Sequence, residues 1–183
     1  KEEMYVTIKG HVGYYCGGMN QKANITIEGN AGTGLGENMM SGTIHVKGNV
    51  SQSAGATSHG GTIIVDGDAS SRCGISMKGA DIIVKGSVGH MSAFMAQAGS
   101  LLICGDAGDA LGDSIYETVI YMAGKPKSLG VDCIEKKITK NDLKKIENLI
   151  KIGNIKKLKP HNFKKFGSAR KLYNFNIDNV SEY

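Results

Sequence analysis

Seven glycines stand 19 residues apart without a slip: Gly10, Gly29, Gly48, Gly67, Gly86, Gly105 and Gly124. Each follows the same strand signature, with apolar residues four and two positions upstream. These are Val6/Ile8, Ile25/Ile27, Ile44/Val46, Ile63/Val65, Ile82/Val84, Leu101/Ile103 and Ile120/Met122. Self-similarity at a fixed short period is the signature of a stacked repeat architecture, in which each unit buries its apolar face against its neighbours.

Further small residues punctuate each unit, as in Gly29, Gly32, Gly36 and Gly42, then Gly48, Ser51, Gly55 and Gly61, then Gly67, Ser70, Gly74 and Ala80. A 19-residue unit with one alternating strand is too short for a helix pair. It suits one turn of a right-handed parallel β-helix, an all-β solenoid of about seven such coils. Its corners demand positive φ or close backbone approach, which glycine supplies with little strain. That demand accounts for 26 glycines in 183 residues, about twice the usual share of roughly 7%.

Coils stacked about 4.8 Å apart align equivalent positions into ladders. Val12, Ala31, Val50, Ala69, Val88 and Ala107 form a small apolar inward ladder. Lys9, Glu28, Lys47, Asp66, Lys85 and Cys104 form an outward one whose charges alternate in sign, as cross-strand neighbours should.

Charge divides the chain in two. Residues 1–133, the solenoid, hold 9 Lys+Arg against 12 Asp+Glu, whereas residues 134–183 hold 13 against 5. The net charge of +5 therefore belongs to a basic C-terminal tail. In that tail Leu143, Ile146 and Leu149/Ile150 have helical spacing over about 140–152. Thr139 and Asp142 are placed as a capping box and Gly153 as a stop. An extended docking arm with Phe163, Phe166, Leu172, Tyr173 and Phe175 follows. Lysines interleaved with aromatics could bind nucleic acid, but apolar aromatics in a non-repetitive arm favour docking on protein. No apolar run approaches the roughly 18 residues of a membrane span, and no signal-peptide pattern is present.

No residue set carries catalysis, cofactor binding or metal ligation. Cys16 and Cys73 share an inward position but lie three coils apart, about 14 Å, beyond disulfide reach. Cys104 falls in the outward ladder, Cys133 beyond the last glycine, and no CxxC pair exists. Structural thiols in a reducing cytoplasm are expected. The run Gly32-Thr33-Gly34-Leu35-Gly36 leads into another coil rather than a helix, so it lacks the context of a nucleotide loop. His11, His45, His59, His90 and His161 occupy different repeat positions and suggest surface or corner roles.

Longer segments carry a resemblance. GYYCGG at 13–18, GLGENMMSGTI at 34–44, SAGAT at 53–57, CGISMKGADIIVKG at 73–86, VGHMSAFMAQAG at 88–99, CGDAGDALGDSIYE at 104–117 and FGSARKLYNF at 166–175 resemble the GXGXG domain of the glutamate synthase large chain, in its stand-alone form. Ser51, Ser70, Ala80 and Ala93 depart from its glycine pattern. The resemblance implies a non-catalytic, cytoplasmic assembly subunit of a hetero-oligomer. Its partners would be a glutamine amidotransferase subunit and a synthase subunit carrying FMN and an iron–sulfur cluster, which join ammonia to 2-oxoglutarate. Methylglutamate synthase reuses these parts, and one of the formylmethanofuran dehydrogenase subunits shares the glycine repeat more weakly.

Overall fold

A computed structural model describes residues 3–170. Seven strands stack in parallel and one residue period apart: β1 Tyr5–Ile8, β2 Asn24–Ile27, β3 Thr43–Val46, β4 Thr62–Val65, β5 Lys78–Val84, β6 Ala98–Ile103 and β7 Val119–Met122. Their register joins Val6, Ile25, Ile44, Ile63, Ile82, Leu101 and Ile120 in one row. The chain is a β-solenoid of about six turns. The inward ladder is observed as parallel bridges from Val12 through Ala31, Val50, Ala69, Val88 and Ala107 to Pro126, on a second side of the coil. Between the two lies a core that includes Ile44, Ile63, Ile82, Leu101, Leu35, Cys73 and Leu111, all fully buried.

The corners differ from the expectation that glycine alone would tolerate them. Tyr15, Ser53, Arg72, Met91 and Ala110 take positive φ at one repeat position, and Met19, Asn38, Thr57, Ser76, Met95 and Ser114 at another. Hydrogen bonds to the next coil hold both positions in place. Tyr15 N–H donates to Thr33 O at 2.9 Å and Met19 N–H to Glu37 O at 2.8 Å, and later coils repeat the pattern. A left-handed non-glycine residue costs roughly 1–2 kcal/mol, and one such hydrogen bond offsets about 0.5–1.5 kcal/mol of that cost. Of the four departures from the glycine pattern, only Ala93 has positive φ (57°). At Ala80 the strand begins early, with a register irregularity between Lys78 and Asp81.

The tail returns to the solenoid. β8 Cys133–Lys136, helix α1 Lys140–Ile152, a 3₁₀ turn Pro160–Asn162 and β9 Lys164–Ser168 follow in order. β9 pairs antiparallel with both β7 and β8, which makes the sheet order β1-β2-β3-β4-β5-β6-β7-β9-β8. Phe166 closes the C-terminal end of the inner core, and Phe163 lies in a second core outside the coil. The described part of the expected docking arm thus docks on its own chain. Tyr173 and Phe175 lie outside the described residues.

Candidate functional site

The central residue of each strand points away from the coil, and its character changes along the solenoid. It is Thr7, Thr26 and His45 in β1 to β3, then Ile64, Ile83, Leu102 and Tyr121 in β4 to β7. The four apolar members are at least 95% buried, beneath Ile146 and Leu149 of α1 and Phe163. Burying one such side chain contributes about 1.5–3 kcal/mol. The helix therefore shields half of the outer sheet face. The other half, bordered by Tyr5, Asn24, Thr43 and His45, is an open polar shelf.

Asp142 anchors the helix start. Its carboxylate accepts from Thr139 N–H and Thr139 Oγ1, both at 2.7 Å, in the expected capping box. It also accepts from Tyr121 Oη on β7 at 2.7 Å, and pairs with Lys165 of β9 at 2.8 Å. Burial opposes the charge of Asp142, but the hydrogen bonds from Lys165, Thr139 and Tyr121 outweigh it and hold the carboxyl well below its usual range. Burial and the same carboxylate push the Tyr121 phenol up. A second clasp joins Lys145 to Asp81 of β5 at 2.7 Å.

The outward charge ladder forms ion pairs, with the Asp66 carboxylate 2.7 Å from the Lys85 ammonium and 3.8 Å from that of Lys47. Reading the histidines singly missed that His45 Nε2 also meets Asp66, at 2.9 Å. The signal was present: the outward residue of one coil neighbours the outward residue one coil on and two positions along. Asp66 is half-buried, yet these partners outweigh burial and lower its carboxyl. A histidine and carboxylate without a nucleophile beside them make an ion-pair network, not a catalytic triad.

A further ladder, also missed, follows the lead glycines. Asn30 Oδ1 accepts from Asn49 N–H at 2.8 Å, Asn49 from Asp68 at 2.8 Å and Asp68 from Ser87 at 2.7 Å. Ser87 then accepts from Asp106 at 3.0 Å, and Asp106 from Lys125 at 2.8 Å. His11 Nδ1 begins the run by accepting from Asn30 N–H at 2.9 Å. Its sequence signal is an acceptor side chain immediately after nearly every lead glycine.

The cysteines stay apart as free thiols. Burial pushes Cys73 up to about 12 and Cys133 to about 11. It raises Cys104 to about 11 against the attraction of Lys85. Such thiols are protonated at neutral pH and make poor nucleophiles or ligands. Among the described residues no three His, Cys, Asp or Glu side chains converge to hold a metal ion, and no helix is long and apolar enough to cross a membrane. What the geometry supplies is a stiff column with one shielded and one open face.

A family model described as the GXGXG motif matches residues 2–178. The chain is 62% identical over 178 residues to Protein GlxC of Rhizobium meliloti (strain 1021), covering 97% of this chain and 78% of that protein.

Proposed function

The chain belongs to the GXGXG-motif family, and from that premise we propose that it is the non-catalytic bracing subunit of a multi-chain glutamate synthase. The family and the relative together support a subunit associated with glutamate synthase. In this reading the solenoid holds a glutamine amidotransferase subunit and an FMN- and iron–sulfur-containing synthase subunit at a constant separation, so that ammonia passes between them. Glutamate forms from glutamine and 2-oxoglutarate in those partners, in the cytoplasm. The observation that carries the reading is the match of the repeat over nearly the whole chain. Its physical support is the unbroken hydrogen-bonded stack from β1 to β7. Each coil contacts only its neighbours, so the column presents a long and fixed surface.

The test is to purify the chain from its native source with whatever accompanies it, and to record mass spectra and absorbance. Co-purification of an amidotransferase-like chain and a synthase-like chain with flavin absorbance is the expected result. A pterin-containing complex would transfer the chain to formylmethanofuran chemistry, and a colourless lone chain would refute the bracing role. Activity of the complex with methylamine in place of ammonia would indicate the methylglutamate variant.

A further inference from the structure

Residues 134–170 hold twelve lysines and arginines against three acids. Four of those cations are used within the chain: Lys145 pairs with Asp81, Lys164 with Glu135, Lys165 with Asp142 and Arg170 with Asp132. The remaining eight are exposed lysines, and none of them forms an ion pair among the described residues. Two of the eight stand where their charge works against the fold. Lys136 is directly opposite Lys165 in the β8–β9 register, and like charges so placed repel. Lys140 opens α1, where the positive end of the helix dipole disfavours a cation. Residues that break a local rule in this way mark functional surfaces.

These lysines also share a place. Lys136, Lys137, Lys164 and Lys165 line a groove of about 510 Å³ together with Glu135, Ile138 and Phe163. Ile138 and Phe163 belong to the second core, so part of the groove wall is apolar. The chain passes from this groove directly into α1, whose outward row is Lys140, Lys144 and Lys151, turned away from the buried Asp142, Ile146 and Leu149. At 1.5 Å per residue the row runs about 16 Å. Glu147 is the one acid beside it. On the premise of the bracing role, we propose that groove and row form one docking surface, which takes an acidic segment of a partner protein chain.

Three observations select that occupant. Charge complementarity comes first: carboxylates brought to Lys136 and Lys140 turn two local repulsions into attractions and steer the encounter from a distance. Next, a single strand of nucleic acid is held by stacking its bases on exposed aromatics. The described aromatics of the tail, Phe163 and Phe166, are 3% and 2% exposed, so neither offers a ring face. An acidic protein segment instead has side-chain hydrocarbon to set against Ile138. Last, a helix lying on a lipid surface needs an outward apolar face. The apolar face of α1 is spent on the sheet, and its exposed Leu143 and Ile152 flank the lysine row on opposite sides.

The test uses the complex purified through the full chain from its native source. A water-soluble carbodiimide joins a lysine amine to a carboxylate only where the two already touch. Links from Lys136, Lys137, Lys140 or Lys144 to Asp or Glu of a partner chain are expected, located by peptide mass spectrometry. Lys136→Glu combined with Lys140→Glu should leave the isolated chain at least as resistant to urea as the parent, because both changes remove a local repulsion. The same pair should weaken assembly, followed by gel filtration on dilution, on the order of tenfold at about 0.1 M salt. Lys22→Glu combined with Lys78→Glu makes an equal charge change on exposed solenoid residues and should leave assembly unchanged. Assembly indifferent to the first pair, or equally sensitive to both, overturns the docking surface while the bracing role stands. A parent chain that purifies alone removes both. Links from these lysines to Asp178 or Glu182 of the same chain would overturn the proposal and assign the surface to its own C-terminal segment. Binding to polyuridine or to phosphatidylserine vesicles that the first pair abolishes, with the complex intact, would overturn it in favour of nucleic acid or lipid.

Discussion

The side-chain oxygen of Asn49 occupies the space that a Cβ on Gly67 would need. That oxygen accepts from Asp68 N–H at 2.8 Å, and the same relation recurs between Asn30 and Gly48, Asp68 and Gly86, Ser87 and Gly105, and Asp106 and Gly124. Lead glycines from Gly48 onward are thus required by a neighbouring coil's side chain and not by their own φ, which is positive only at Gly10 among the seven.

Gly67→Ala forces Asn49 out of the ladder and should cost about 1–3 kcal/mol. Asn49→Ala should cost about 1 kcal/mol, for one lost hydrogen bond. In the Asn49→Ala background Gly67→Ala should cost clearly less, because Gly48 O at 3.0 Å is then the closest obstacle. Urea denaturation of the four chains measures the coupling. Strict additivity would show that the side chain is not the reason for the glycine.

Asp142 ties the helix start to both β7 and β9, so Asp142→Asn should loosen the tail by about 3 kcal/mol at neutral pH, leaving Lys165 without its anion. Because the folded carboxyl titrates below the unfolded one, its stabilisation is complete above about pH 4 and is lost as pH falls through the depressed folded value. Amide exchange in α1 should accelerate on acidification below about pH 4 in the parent chain. The Asp142→Asn variant, whose amide does not titrate, should show a flatter response. A parallel acid response in both chains would show that Asp142 is not the group responsible.

Leu149 is fully buried on the outer sheet face. Leu149→Ala should cost about 3 kcal/mol and raise the open population of the helix about a hundredfold. Trypsin should then cleave within Lys140–Lys159 well before it attacks the coils. Uniform cleavage across the chain would mean that tail and solenoid unfold as one unit.

The thiols should alkylate in order of burial. Cys16, part-exposed in the first coil, should react first with iodoacetamide, then Cys104. Cys73, pushed up to about 12 by burial, should react only after unfolding. Peptide mapping after timed labelling checks the order, and native-state labelling of Cys73 at the Cys16 rate would contradict this burial.

The repeat was legible because every coil restates it. A strand pattern seen seven times leaves little room for another period, and the outward alternation of Lys47, Asp66 and Lys85 appears as ion pairs. The helix at Lys140–Ile152 was equally plain from its cap and spacing. Its docking place was not, although Ile64, Ile83, Leu102 and Tyr121 stand at one repeat position. An apolar outward residue in one coil looks incidental. It becomes a stripe only when the coils are aligned on the position between the two inward ones. The functional reading rests on extended resemblance, because a bracing surface has no obligatory catalytic constellation to leave in the sequence.

By itself the sequence determined the period, the inward rows and the strand register, since these follow from local alternation and from burying apolar residues at fixed spacing. The tertiary structure decided which face the tail covers, which non-glycine residues accept positive φ, and why Gly67 has no side chain. Each of those depends on contacts with residues far along the chain, in the neighbouring coils or the tail. Local propensity carries no information about such a neighbour until stacking brings the coils into contact.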